Sequence, residues 1–206
     1  MVVFFLSCSS KDEFSLYNKP ALFWYNQLLK NIIKTNLDEA DETFVSLKSE
    51  HSKSVYIEPS MLLLSKMHIK HEQYELANYY LDEYIKQYPF SDNIEYVKFL
   101  QLETKYSSMG YRYRDQKLLL QIKDDFDDFI QNYKNSVYIE MVKSMRTRID
   151  MTIYQYNRSV VGLYDRIGKT KAKKFYIDKL NKAFRYKDLK EAKPIWYRHL
   201  FEEGKI

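Results

Sequence analysis

The sequence predicts an all-α fold: tandem helix–turn–helix repeats, about five of them, forming a curved solenoid. Three observations carry that expectation. Glycine and proline number only four each in 206 residues, so tight turns are few and long helices are favoured over many short strands. One five-residue string occurs twice, as Ser54-Val55-Tyr56-Ile57-Glu58 and Ser136-Val137-Tyr138-Ile139-Glu140. A weaker copy, Ser91-Asp92-Asn93-Ile94-Glu95, lies between them, at spacings of 37 and 45 residues. Before each copy runs a stretch with large apolar residues at helical spacing. These are Leu37, Ala40, Phe44 and Leu47; Tyr74, Ala77, Leu81 and Ile85; and Ile122, Phe126, Phe129 and Ile130.

Taken in order, the chain opens with apolar Val2 to Leu6, then Ser7, Cys8 and a polar stretch. That order resembles a bacterial lipoprotein signal, which implies a lipid on the Cys8 thiol and cleavage just before it. Residues 1–7 read as a remnant of the signal. Their short apolar run and the lack of a preceding Lys or Arg imply that its first part is missing. Residues 8–19 are rich in Ser, Lys, Asp and Asn and read as a lipid-anchored tether, and 20–206 as the repeat domain. No other stretch approaches the roughly 18–20 apolar residues that a membrane-spanning helix needs.

From Pro20 the pattern predicts helices over 20–34, 37–51, 55–71, 73–88, 92–108, 115–133, 136–166, 169–185 and 188–203. Pro20 suits a first helical turn, where a missing N–H costs nothing. The breakers are His51-Ser52-Lys53, Tyr88-Pro89-Phe90 and Tyr133-Lys134-Asn135. Gly110 and Gly168 are expected to close helices. Asp115, Ser136 and Asp188 are expected to start them.

A hydrophobic share of 45% with 30% charged residues belongs to a folded chain. Twenty Tyr and twelve Phe supply both helix seams and binding surface. The formal charge of +5 names no partner by itself. It is concentrated between Lys169 and Lys190, where nine Lys and Arg face Asp178 and Asp188. That segment reads as a solvated face or as a dock for an acidic partner.

No motif points to catalysis, so the expectation is a binding protein, not an enzyme. Gly162 to Gly168-Lys169-Thr170 mimics a phosphate loop, but five residues separate the glycines where four are needed, and it follows a helix. His68 and His71 lack the further ligands a zinc site requires. Asp124, Asp125, Asp127 and Asp128 diverge around a helix and read as an acidic outer face. Lys173-Lys174-Phe175-Tyr176 has the look of a nucleic-acid contact, but an exported lipoprotein rarely meets nucleic acid. No cofactor is expected beyond the covalent lipid on Cys8.

The repeats resemble the tetratricopeptide (TPR) family. Tyr74, Ala77 and Leu81 match its B-helix aromatic, small and large positions, and Pro89 its terminating proline. Leu64 and Ser65 match an A-helix, as Trp24 does in the first repeat, where Ala40 and Phe44 match the B-helix. Tyr84 and Leu47 stand where a second alanine is expected, which implies wider stacking.

The lipobox, tether and repeats together resemble the BamD family, the lipoprotein subunit of the outer-membrane β-barrel assembly (BAM) machinery. Three stretches carry the likeness: Tyr88 to Val97; Tyr113-Arg114-Asp115-Gln116 with Asp125 to Tyr138; and Tyr154 to Gly168. Lys134 replaces the family's usual proline, so a divergent member is implied.

The resemblance implies a protein at the periplasmic face of the outer membrane. Its N-terminal repeats would recognise unfolded β-barrel precursors, and its C-terminal repeats would hold the periplasmic domains of the central barrel subunit. Helix phase nominates Tyr25, Leu29, Lys66 and Tyr96 for the groove, and Lys171, Lys174 and Arg185 for docking. The alternative is another TPR lipoprotein adaptor, such as a pilotin or a cell-envelope coordinator.

Overall fold

A computed structural model describes residues 18–109 and 116–182, and every regular element among them is helical. The helices are α1 (Ala21–Ile33), α2 (Leu37–Glu50), α3 (Ile57–Lys70), α4 (Tyr74–Gln87), α5 (Ile94–Ser108), α6 (Gln116–Asn132), α7 (Ile139–Arg166) and α8 (Thr170–Lys182). Among them α1 with α2 and α3 with α4 form packed helix–turn–helix pairs of TPR type. The helix expected over 188–203, Gly110, Asp115 and Asp188 lie outside the described residues.

The repeated string folds into the same turn three times, and that turn ends one pair and starts the next. The N–H groups of Ser54, Ser91 and Ser136 reach back to the carbonyls of His51, Tyr88 and Tyr133. The N–H groups of Ile57, Ile94 and Ile139 then bond to the serine carbonyls, at 3.1, 3.0 and 3.2 Å. Each serine Oγ accepts the N–H two residues on: Tyr56 at 3.3 Å, Asn93 at 3.2 Å and Tyr138 at 3.0 Å. A short hydroxyl side chain satisfying its own backbone is what makes serine favour such turns.

These turns account for helix starts later than the periodicity predicts. The serine and its two successors are spent on the turn, so α3, α5 and α7 begin at the isoleucine. Ser136 heads the turn before α7 instead of capping the helix directly. Pro20 likewise stands one position ahead of α1, where its carbonyl receives the N–H of Phe23 at 2.8 Å.

Within pairs a second turn recurs. Thr35, Glu72 and Gly168 take left-handed φ values of 61°, 60° and 69°. The next N–H closes onto the helix end: Asn36 on Asn31, Gln73 on His68 and Lys169 on Tyr164, at 2.9, 2.8 and 2.9 Å. This is the Schellman closure. Gly168 enters it freely, as its expected role requires, whereas Thr35 and Glu72 carry a Cβ into a region that costs roughly 1–2 kcal/mol.

The described chain divides into two compact units, one holding 18–109 with 124–143, the other 116–123 with 144–182. In the first, α1 packs on α2 and α3 on α4. Helices α2 against α3 and α4 against α5 join successive pairs, and α1 also touches α3. One apolar cluster runs through them, including Trp24, Leu28, Phe44, Leu47, Ile57, Met61, Leu64, Leu81, Tyr84, Val97 and Leu100. Ala40, Ser65 and Ala77 are fully buried, so helices approach closely where the side chain is small. Tyr84 is buried too, and the polar tip of this large residue finds partners: it donates to Glu58, and Ser91 Oγ lies 2.9 Å from it. In the second unit Leu119, Ile122 and Ile149 are buried, and Gln116 Nε2 donates to Asn157 Oδ1 at 3.4 Å.

Relief of the left-handed strain is measurable. Glu72→Gly is expected to raise the unfolding free energy by about 0.5–1 kcal/mol in urea titration. Ser136→Ala is expected to lower it by about 1 kcal/mol. A destabilised Glu72→Gly protein would contradict the turn geometry.

Candidate protein-binding face

The odd-numbered helices of the first unit bring aromatic side chains into neighbouring positions. Tyr25 of α1 stacks on Tyr56, with ring centroids 4.9 Å apart and planes inclined by 18°. On the next pair Lys66 Nζ lies 5.0 Å from the ring centre of Tyr96. Tyr96 in turn lies 5.8 Å from Tyr138, whose ring stacks on Phe99 at 4.4 Å. All of these tyrosines are half-buried. Their faces pack on one another while part of each ring stays accessible, which suits contact with a partner's apolar and backbone groups. The ammonium held over Tyr96 adds a positive charge that an acceptor on a partner can share.

Of the groove residues that helix phase nominates, Lys66 and Tyr96 meet directly, Tyr25 stands on the Tyr56 ring, and Leu29 is half-buried on α1. Tyr56, Tyr138 and Phe99 were not nominated. The signal for the first two was present: both tyrosines occupy the third position of the repeated string, and the same turn places each beside the aromatic side chain of a neighbouring odd-numbered helix. Lys171 and Lys174 are exposed on α8. Beside them Lys173 pairs with Asp165 at 2.6 Å, and Lys179 lies over the Phe175 and Tyr176 rings at 4.8 and 5.1 Å. Arg185 and Cys8 fall outside the described residues.

The titratable groups of the core serve the fold. His68 is fully buried, its Nε2–H donating to Asp41 Oδ1 at 3.0 Å and its Nδ1–H to Gln73 Oε1 at 2.7 Å. Tyr80 donates to the same Asp41 oxygen at 2.6 Å and lies parallel to the imidazole. Burial opposes the imidazolium. The hydrogen bonds to Asp41 and Gln73, with the charges of Asp41 and Asp38, outweigh it and raise the pKa. Burial, then Asp41, holds the Tyr80 phenol protonated far above its ordinary range. His71 is exposed and takes no part. At the next seam Glu58 is lowered chiefly by the Ser91 hydroxyl, 2.6 Å away, and then by Tyr84.

Each unit has a cleft of its own. A cavity of about 410 Å³ in the first unit includes Lys98, Lys105, Asp125 and Tyr133 in its wall. There Lys105 pairs with Asp125 at 2.7 Å, so Asp125 does more than face solvent. One of about 440 Å³ in the second includes Leu119, Ile153, Lys123 and Asp150, the last two paired at 3.4 Å. Among the described residues no group of His, Cys, Asp or Glu is arranged to hold a metal ion, and no helix is long and apolar enough to cross a membrane.

Residues 18–185 match the family described as outer membrane lipoprotein, YfiO. The chain is 34% identical over 197 residues to the outer membrane protein assembly factor BamD of Helicobacter pylori, covering 93% of this chain and 86% of the relative.

The contact between buried His68 and partly exposed Asp41 sets a pH dependence. A raised His68 pKa stabilises the fold fully below the unfolded value of about 6.5, and that stabilisation is lost as pH rises through the folded value. Wild-type stability should therefore fall across that window in urea titrations. Asp41→Asn should flatten the dependence and cost about 1–3 kcal/mol at pH 6. An unchanged slope would refute the raised pKa of His68.

Proposed function

The chain belongs to the family of outer membrane lipoproteins that includes the assembly factor BamD, and on that footing we propose that it is a lipid-anchored scaffold for assembling outer-membrane β-barrel proteins. It sits at the periplasmic face of the outer membrane, held by an acylated Cys8. Its first unit takes hold of unfolded barrel precursors, and its basic C-terminal segment docks the periplasmic domains of the central barrel subunit.

The observation that carries this reading is the aromatic face from Tyr25 to Tyr138. An unfolded β-strand destined for a barrel alternates apolar and polar residues. Apolar side chains can settle against the half-buried rings, and the strand's carbonyls can accept from Lys66. The exposed Lys171 and Lys174 supply the charge that steers an acidic domain toward the other unit. Binding is the whole of the proposed task, and no catalytic step is assigned.

Affinity purification of the chain from envelope extracts should recover a large outer-membrane barrel protein. Pilus or peptidoglycan proteins in its place would move the chain to a different adaptor role. Metabolic palmitate should label the wild type and not Cys8→Ala. Equal labelling of both would remove the anchor assignment.

A further inference from the structure

The three connections between helix pairs lie along one edge of the first unit. They are tied to one another in series. Ser91 of the second donates to Glu58, which starts α3 just after the first. Tyr138 of the third stacks on Phe99 near the start of α5, just after the second. The chain also enters the fold here, because His51 Nε2 in the first connection lies 2.7 Å from the carbonyl oxygen of Lys19.

Each connection presents a large apolar side chain almost wholly to water: Val55 at 80%, Phe90 at 97% and Val137 at 84% exposure. Leu22 and Phe23, in the first turn of α1, extend the row on the same edge. Isolated exposed apolar residues are ordinary, but a row repeated at equivalent turns is not. The two left-handed turns of the opposite edge hold polar residues, Lys34-Thr35-Asn36 and His71-Glu72-Gln73, with Ile33 and Leu76 beside them. Lys19, Lys53 and Lys134 accompany the apolar row, with Asp92 and the exposed Glu140, which pairs with Lys143, as acidic neighbours.

We propose that this edge is a membrane-contact surface that lays Val55, Phe90 and Val137 into the interface of a phospholipid bilayer. The inference rests on the proposed anchor at Cys8. Nine residues, 9–17, separate Cys8 from the first described residue, Asn18. Fully extended, they span at most about 35 Å. A lipid at Cys8 therefore joins the fold at this entry edge, beside His51, and holds it within tether reach of the bilayer. Shallow apolar side chains with flanking lysines suit the headgroup boundary, where the uppermost acyl segments are met and the phosphates are bound. Lipid contact at the edge supplements the acyl chains and fixes the orientation in which the first unit meets its partners.

The test uses the full chain, acylated at Cys8 and reconstituted into vesicles of phosphatidylethanolamine and phosphatidylglycerol. An environment-sensitive fluorophore is attached to Val55→Cys, Phe90→Cys, Val137→Cys or, on the opposite edge, Glu72→Cys. Nitroxide-bearing lipids are expected to quench the first three at least about twofold more than the fourth. Equal quenching at all four positions, or burial of the three only when a protein partner is added, overturns the proposal. Intact mass and vesicle flotation report separately on the anchor. An unacylated chain that fails to float defeats the anchor reading and this inference with it. An acylated, floating chain with three unquenched probes defeats this inference alone.

Discussion

A pair of helices this short cannot cover its own apolar face, and every other feature of the first unit follows from the next pair covering it. Leu28, Leu47, Leu64 and Leu81 are fully buried because the cluster is shared across pairs, not contained in any one. Removing any one of them would open a cavity in a seam common to two pairs. The polar seams obey the same constraint. Asp41 of α2 meets His68 of α3 and Tyr80 of α4, and Glu58 of α3 meets Tyr84 of α4 and Ser91 beyond it. Each carboxylate thereby joins the end of one element to the start of another and fixes the register between them.

That register is what turns separate helices into a face. Because the serine turn is made three times with the same hydrogen bonds, α3, α5 and α7 start from equivalent backbone geometry. Side chains at equivalent positions then come out on one side. Tyr56 and Tyr138 are placed by the turn itself, and Lys66 and Tyr96 by the helices it launches. A scaffold of this kind needs no moving part to offer a partner a preformed aromatic surface. On the proposed function, polypeptide would be taken through area and shape, with one ammonium to orient the backbone.

Much of this was legible in the sequence, and the reasons are particular. Leu37, Ala40, Phe44 and Leu47 were read as one apolar stripe, and all four are buried, since helical periodicity reports which face packs. Gly168 closes α7 with positive φ, as a glycine at a helix end should. Thr35 and Glu72 adopt the same conformation without any residue signal, because tertiary closure there overrides preference. Helix starts were read early at 55, 92 and 136, because serine marks a turn as readily as a cap and the two look alike in sequence. Pairing His68 with His71 gave no hint of Asp41, which lies far away along the chain and meets His68 only once α2 packs on α3. The ring pairs Tyr25–Tyr56 and Tyr96–Tyr138 also depend on packing between pairs, which spacing within a helix cannot reveal.

The central claim is that the face formed by the odd-numbered helices is where the chain grips unfolded barrel proteins. Site-specific photocrosslinking in cells tests it most directly. A photoreactive amino acid replaces Tyr96 on α5 in one strain and the exposed Tyr79 on α4 in another. The adducts are then identified by mass spectrometry. The account predicts crosslinks from position 96 to newly exported outer-membrane barrel precursors and few or none from position 79. Precursor adducts from 79 and not from 96, or adducts at 96 made only with proteins that never form barrels, would contradict it.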